Sequence, residues 1–164
     1  SQALTFEPER PYLNLKAAES LLLADRPNEA LPYIEGVLRR SPEHIEANIR
    51  LVDCHSAVGD LQAAYDHADQ LVRGYPDNET FRLRLADVLI EGNELDAALE
   101  VLSAGVGDEP NNTPLYEKLG AVLSKLGQHS DAANAYRIAV SLEPDLVSAH
   151  FGLESAEIMG SVKN

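Results

Sequence analysis

Basic side chains recur at a fixed step along this chain of 164 residues, and three of the four are followed by an acid three positions later. A guanidinium or ammonium donor beside a carboxylate acceptor can bind the carbonyls, carboxylates and amides of an extended peptide. Because the step is 34 residues, these groups would form parallel ladders in a chain that folds as a repeat. The bases are Lys16, Arg50, Arg84 and Lys118, and the acids are Glu19, Asp53 and Asp87.

An aliphatic ladder directly precedes the bases and would add apolar contact area. Leu15, Ile49 and Leu83 form it, and Glu117 takes the fourth place. Two other interpretations of the charges stay open. Each base and acid could form an exposed pair within one helix, which contributes about 0.2–0.5 kcal/mol. Alternatively, the base of one repeat could pair with the acid of the next and stabilise the stack.

The sequence shows no specific pattern for catalysis or metal binding. It contains no HExxH, CxxC, GxSxG or glycine-rich phosphate loop, and none of its histidines pair at helical spacing. A site of Cys54, His55 and His67 is disfavoured, because adjacent side chains on a helix diverge by about 100°. We therefore expect His55 to be a hydrogen-bonded core residue. We predict no catalytic residue, no metal, no cofactor and no enzymatic activity.

Composition bounds the class of partner. Hydrophobic residues make up 45% of the chain, enough for a continuous core, whereas aromatics at 5% are few for an enzyme pocket. The net charge of −14 disfavours nucleic acid and anionic membranes, because phosphate binding needs clustered Lys and Arg. It could favour basic partners, or reflect carboxylates at helix N-termini. The single cysteine gives no sign of an oxidising compartment, and we favour the cytoplasm slightly over the periplasm.

The elements that must position the ladders repeat with the same period. Apolar residues follow helical spacing, so each 34-residue unit is predicted to form two antiparallel helices. Recurring alanines would let the two helices cross closely, and recurring prolines would end the second helix. The alanines are Ala30, Ala64, Ala98 and Ala132, and the prolines are Pro8, Pro42, Pro76, Pro110 and Pro144. Equivalent turns carry residues that tolerate a left-handed backbone, namely Asp25, Gly59, Asn93 and Gly127.

This period predicts one solenoid domain with four repeats, at residues 11–44, 45–78, 79–112 and 113–146. Residues 1–10 match the end of a second helix and are interpreted as the remnant of a preceding repeat. Residues 147–164 are predicted to form a C-terminal capping helix and tail, in which Glu154 and Glu157 would keep the outer face solvated.

Two places depart from the repeat pattern. In the last helix, Phe151, Ile158 and Met159 do not fit a polar cap, and would either contact the preceding unit or form an adhesive edge. In the third repeat, Gly105 and Gly107 fall in or at the end of the second helix, where glycine costs about 1 kcal/mol relative to alanine. We expect that helix to end early, and a hinge is the alternative.

The fourth unit has the most specific pattern, formed by Tyr116, Leu119, Gly120, Leu123, Ala132, Tyr136 and Pro144. With these residues at this spacing, the chain resembles the tetratricopeptide repeat family over nearly its whole length. Other units depart from that pattern, since Asn14 and Asn48 replace the opening aromatic. The resemblance implies an all-α, right-handed superhelical solenoid of antiparallel helix hairpins, whose first helices line a concave groove.

The resemblance also implies a role, because such grooves bind a peptide, a helix or a protein. We expect a non-catalytic interaction module that acts as a scaffold or adaptor, with protein or peptide partners and without nucleic acid binding or membrane insertion. The expected groove residues are Tyr12, Leu15, Lys16, Glu19, Ile49, Arg50, Asp53, Leu83, Arg84, Asp87 and Lys118.

Two other roles stay open. The chain could be the regulatory or substrate-recruiting arm of a larger multidomain enzyme, since it begins in the middle of a repeat. It could also be an oligomerising scaffold, in which the incomplete N-terminal helix leaves an apolar edge that stacks on another copy.

Overall fold

The computed structural model describes residues 11–162, and within that range the chain forms nine α-helices and no strand. The helices are α1 (Pro11–Leu23), α2 (Pro27–Leu38), α3 (Ile45–Val58), α4 (Leu61–Gly74), α5 (Glu79–Glu91), α6 (Leu95–Asp108), α7 (Thr113–Lys125), α8 (His129–Leu142) and α9 (Val147–Ser161). The chain divides into two compact units, here called unit 1 (residues 1–74) and unit 2 (residues 75–164). The predicted helix remnant at residues 1–10, with Pro8, lies outside the described residues.

Within each unit, helices that follow one another in the chain pack together. In unit 1, α2 contacts α1 and α3, α3 contacts α4, and α1 also contacts α3. In unit 2, the contacts follow the chain from α5 to α9, and α7 also touches α5 and α9. Because two or three residues join α1 to α2 and α3 to α4, the helices of these pairs are antiparallel.

The turns inside the helix pairs have the predicted left-handed backbone. The φ angles are 56° at Asp25, 83° at Gly59, 59° at Asn93 and 74° at Gly127. Aspartate and asparagine tolerate this region better than most residues, and glycine adopts it without steric cost. These turns end the first helix of each pair and return the chain for the second.

The first helices α3, α5 and α7 each begin with an N-cap residue at the same position of the repeat. The side chains of His44, Asn78 and Asn112 each accept a hydrogen bond from a backbone N–H three residues later, at 3.3, 3.2 and 3.1 Å. Such caps satisfy one of the free donors of a helix N-terminus. Four of the recurring prolines lie in the loops just before these helices and α9, after the second helix has ended: Pro42, Pro76, Pro110 and Pro144.

The recurring alanines are completely buried, as their predicted role at the helix crossings requires. Ala30, Ala64, Ala98 and Ala132 each have 0% exposure. In unit 1, Ala30 lies in a core with Ala18, Ile34 and Val37. A larger side chain at these alanines would separate the packed helices.

The prediction that the second helix of the third repeat ends early is wrong, because α6 continues through Gly105 and Gly107 to Asp108. Gly105 is buried, and a Cβ atom there would lie 2.9 Å from Cδ of Arg82 and 3.1 Å from the methyl groups of Leu115. Gly105 therefore serves close packing rather than helix termination. The steric demand comes from α5 and α7, which is why the sequence of α6 alone did not reveal it.

The last helix, α9, packs against α8 and α7, and Ala149 and Ala156 are its buried residues. Phe151, Ile158 and Met159 are each at least half exposed. None of the helices in residues 11–162 has the length and apolar character needed to cross a membrane.

Candidate functional site

In unit 1, the predicted charge ladder is a connected group of ion pairs on α1 and α3. Lys16 Nζ donates to Glu19 Oε2 at 2.6 Å, and Glu19 Oε1 lies 3.4 Å from Arg50 Nη2. Arg50 also reaches Glu46 at 2.8 Å and Asp53 at 3.5 Å. The bond from Lys16 lowers the pKa of Glu19, and the same bond raises the pKa of Lys16.

In unit 2, the ladder on α5 and α7 has the same design. Asp87 lies 3.2 Å from Arg84 on its own helix and also accepts a hydrogen bond from Lys118 on the next first helix. In both units, an acid of the earlier helix therefore bridges a base on its own helix and a base on the later one. The sequence had suggested pairs that run from the base of one repeat to the acid of the next; the observed pairs run in the opposite direction.

The aliphatic ladder is less exposed than the charges. Leu15 and Ile49 are less than one tenth exposed, and Leu83 is partly buried. These side chains therefore contribute mainly to packing between helices and leave a narrow apolar strip at the surface.

Unit 1 contains a cavity of about 570 Å³, and four of the residues that line it were predicted: Tyr12, Leu15, Lys16 and Glu19. The other lining residues are Pro11, His44 and Glu46. The Tyr12 ring is 69% exposed, and Lys16 Nζ lies 6.0 Å from its centroid, at the limit of a cation–π contact. The cavity thus combines an exposed aromatic ring with one ammonium group and two carboxylates. Such a mixture suits a peptide side chain with an apolar body and a polar end.

Sequence reasoning missed a set of polar residues that hold the loop before a first helix. Asn48 Nδ2 donates to the carbonyl of Pro42 at 2.8 Å, and Arg82 Nη2 donates to the carbonyl of Pro76 at 2.8 Å. His150 Nε2 lies 2.7 Å from the carbonyl oxygen of Pro144 and acts as the donor there, because a carbonyl only accepts. Asn48 and Arg82 stand 34 positions apart, and His150 follows 68 positions after Arg82. Each lies six residues after a recurring proline, so the register itself was a usable signal.

The ring of Tyr136 explains where the basic ladder ends. A Cβ atom at Gly120 would lie 2.9 Å from this ring, and one at Gly152 would lie 2.5 Å from it. Gly152 stands 34 residues after Lys118, at the position where a fifth base would fall. Because Tyr136 fills the space on that side, the position can hold only glycine without rearrangement.

The residues considered for a metal site have other roles. Cys54 is buried, and burial raises the pKa of its thiol to about 11, so the thiol stays protonated at neutral pH. His67 Nε2 lies 3.1 Å from Asn48 Oδ1. The expectation for His55 is wrong, since it is only partly buried and its ring makes no hydrogen bond to another described residue. Residues 11–162 contain no group of three His, Cys, Asp or Glu side chains arranged to hold a metal ion.

Curated relatives match parts of the chain. It is 29% identical over 133 residues to the cellulose synthase operon protein C of Pseudomonas fluorescens (strain SBW25), which covers 79% of this chain and 9% of that protein. It is 33% identical over 92 residues to an FK506-binding protein-like protein of Mus musculus, which covers 56% of this chain and 26% of that protein. The chain therefore spans less than a third of the length of these relatives.

Solved structures share the fold. One is a thermophilic TPR protein of Thermus thermophilus, TTC0263, with a TM-score of 0.74 and 22% identity over 93% of this chain and 82% of that one. Another is MamA (41-end) of Desulfovibrio magneticus RS-1, with a TM-score of 0.73 and 23% identity over 96% and 88%. These similarities confirm the all-α, solenoid-type class. A family model described as tetratricopeptide repeat matches residues 21–64 and 56–123, more than half of the chain. The chain belongs to the tetratricopeptide repeat family.

Proposed function

We propose that the chain is a non-catalytic protein-binding module, a scaffold or adaptor whose partner lies along the first helices of the repeats. The observation that carries the proposal is the set of ion-paired bases and acids on first helices, on α1 and α3 in unit 1 and on α5 and α7 in unit 2. Membership of a family built for protein interaction supports it, as does the cavity that Tyr12 and Lys16 line in unit 1.

The ion pairs would prepare this surface for a peptide. A carboxylate such as Glu19 keeps free lone pairs for a backbone N–H, and Lys16 keeps donors for a backbone carbonyl. Because each side chain is already held by a neighbour, binding would order few further rotatable bonds, which lowers the entropic cost of association. The partner would gain specificity from alternating charge and apolar area from Tyr12.

The competing explanation is that the ladder only stabilises the stack. Exposed pairs contribute about 0–1 kcal/mol each, so their loss would lower stability slightly and leave partner binding intact. A comparison of stability with binding in the same variants separates the two explanations.

The test is a charge reversal at the ladder with a matched reversal elsewhere. The variant R50E/R84E changes two first helices. The variant R39E/R73E makes the same charge change directly after α2 and on α4, where Arg39 pairs with Glu35 and Arg73 with Asp69. The wild type and R39E/R73E should capture the same proteins from a native lysate. We expect R50E/R84E to capture at least tenfold less of them. Equal capture by all three proteins, with helicity retained by circular dichroism, would show that the ladder is not the binding surface.

A second candidate is the recruiting arm of a larger multidomain enzyme. The observation that favours it is that the curated relatives are far longer than this chain, which covers 9% and 26% of two of them. The full-length gene distinguishes the two. A catalytic domain in the same open reading frame would support the recruiting arm, and further repeats alone would support the scaffold.

A further inference from the structure

Exposed apolar residues recur on one side of helix α9 and at Val162, directly after its end. Val147, Phe151, Ile158 and Val162 have exposures of 78%, 74%, 56% and 77%. At 100° per residue these four positions fall within an arc of about 60°, opposite to the buried Ala149 and Ala156. These four residues are called the α9 stripe. It extends about 22 Å at 1.5 Å per residue, the length of four helical turns.

The borders of the α9 stripe are acidic. Residues 138–162 contain four carboxylates and no Lys or Arg: Glu143, Asp145, Glu154 and Glu157. Glu157 pairs with Arg137 at 2.8 Å. Glu154 lies between Phe151 and Ile158 along the helix and forms no ion pair with another described residue. Its carboxylate is exposed and can meet a cation on whatever covers the stripe.

We propose that the α9 stripe binds a protein segment that has an apolar face edged by lysine or arginine. The four side chains form two exposed apolar pairs, Val147 with Phe151 and Ile158 with Val162, on either side of Glu154. Exposed apolar area of this kind marks interaction sites. The carboxylate beside them selects a basic border on the partner, because complementary charge directs the encounter and disfavours acidic competitors. Residues 75–162 carry fifteen acids and five bases, so long-range attraction also favours a cationic segment.

A second copy of the chain is a poorer occupant. In a two-fold pairing through the stripe, only residues near the axis face their equivalents. Glu154 lies near the midpoint of residues 147–162, so it would approach Glu154 of the other copy. The net charge of −14 on each chain adds to this repulsion.

The test uses fluorescein-labelled 18-residue helical peptides and fluorescence anisotropy. The first peptide has a leucine stripe bordered by lysines, the second has glutamates in place of the lysines, and the third has serines in place of the leucines. The chain variants are F151S/I158S in the stripe, E154K at its border, and L23S as a control. Leu23 is 85% exposed on α1 in unit 1, so its substitution also removes an exposed apolar side chain without touching the stripe.

We expect the lysine-bordered peptide to bind the wild type and L23S equally, at least tenfold more tightly than either other peptide. F151S/I158S should weaken it tenfold or more, and E154K several-fold at low salt. Circular dichroism confirms that each variant stays helical. Equal affinity of the wild type for the lysine and glutamate peptides, or unchanged binding by F151S/I158S, would overturn the proposal. Self-association of the wild type in sedimentation that F151S/I158S abolishes would also overturn it, in favour of a homotypic face.

Discussion

The two units use different chemistry at the same position of the repeat. In unit 1, Asn48 donates to the carbonyl of Pro42, and in unit 2, Arg82 donates to the carbonyl of Pro76, both at 2.8 Å. The amide of Asn48 also binds the ring of His67, whereas the guanidinium of Arg82 binds Asp108 at 2.9 Å. The comparison shows that an amide and a guanidinium can bind the same loop carbonyl. We expect the second partner of each donor to decide how its unit responds to mutation and to pH.

The two donors also differ in how completely they are satisfied. Arg82 is buried, and its Nη1 has no hydrogen-bond partner among the described residues. Asn48 is equally buried, and its Nδ2 donates to the carbonyls of both Pro42 and His44. A buried charge is stabilised only by its partners, so unit 2 depends more strongly on its donor than unit 1 does.

The largest effect should follow removal of the charged donor in unit 2. The variant R82A leaves the carbonyl of Pro76 without its donor and opens space beside Gly105, so we expect the free energy of unfolding to fall by about 2–4 kcal/mol. Urea denaturation followed by circular dichroism measures it. The control D108N should cost about 1 kcal/mol or less, because Asp108 is largely exposed and Arg82 keeps its bond to Pro76. A loss with R82A no greater than with D108N would mean that the carbonyl contact is not important.

A smaller effect is expected in unit 1 from N48A. This change removes two hydrogen bonds to carbonyls and leaves His67 without its partner, at a cost of about 1–3 kcal/mol. The control N28A changes an exposed asparagine on α2 and should lie within about 0.5 kcal/mol of the wild type. If N48A were more destabilising than R82A, the proposed difference between the units would be reversed.

The smallest effect is a pH dependence that arises from His67 in unit 1. Burial lowers the pKa of His67, and the nearby His55 lowers it further. The unfolded chain therefore binds a proton at His67 more readily than the folded chain, so stability falls as the pH drops below about 6.5, the ordinary value. The variant H67Q keeps a donor for Asn48 Oδ1 without the titration. We expect the wild type to lose more melting temperature than H67Q between pH 7.5 and pH 5, and parallel curves would contradict the assignment.

Much of the fold could be predicted because the repeat encodes it locally. The left-handed turns at Asp25 and Asn93 and the buried Ala30 and Ala64 follow from residue type at a fixed register. The organisation into four repeats with a capping helix stays a prediction, as do the groove residues. The ion pairs between successive first helices could not be predicted, because spacing alone does not decide which of two acids a long basic side chain reaches.

The features that sequence reasoning missed depend on neighbours distant in the chain. Gly105 is needed because Arg82 and Leu115 press against it, and Gly152 because Tyr136 does. His67, and not His55, is the hydrogen-bonded histidine, because its ring on α4 meets Asn48 on α3. In each case the residue type was visible, but the reason for it lay on another helix.

The central claim is that a protein partner contacts the first helices of the repeats, and site-specific photocrosslinking tests it most directly. Benzoylphenylalanine would replace Lys16 on α1 or Arg137 on α8, whose side chains are both 55% exposed. Both proteins would be irradiated in native lysate and the adducts identified by mass spectrometry. We predict a discrete partner adduct from position 16 and none from position 137. The same adduct from position 137, with none from position 16, would contradict the claim.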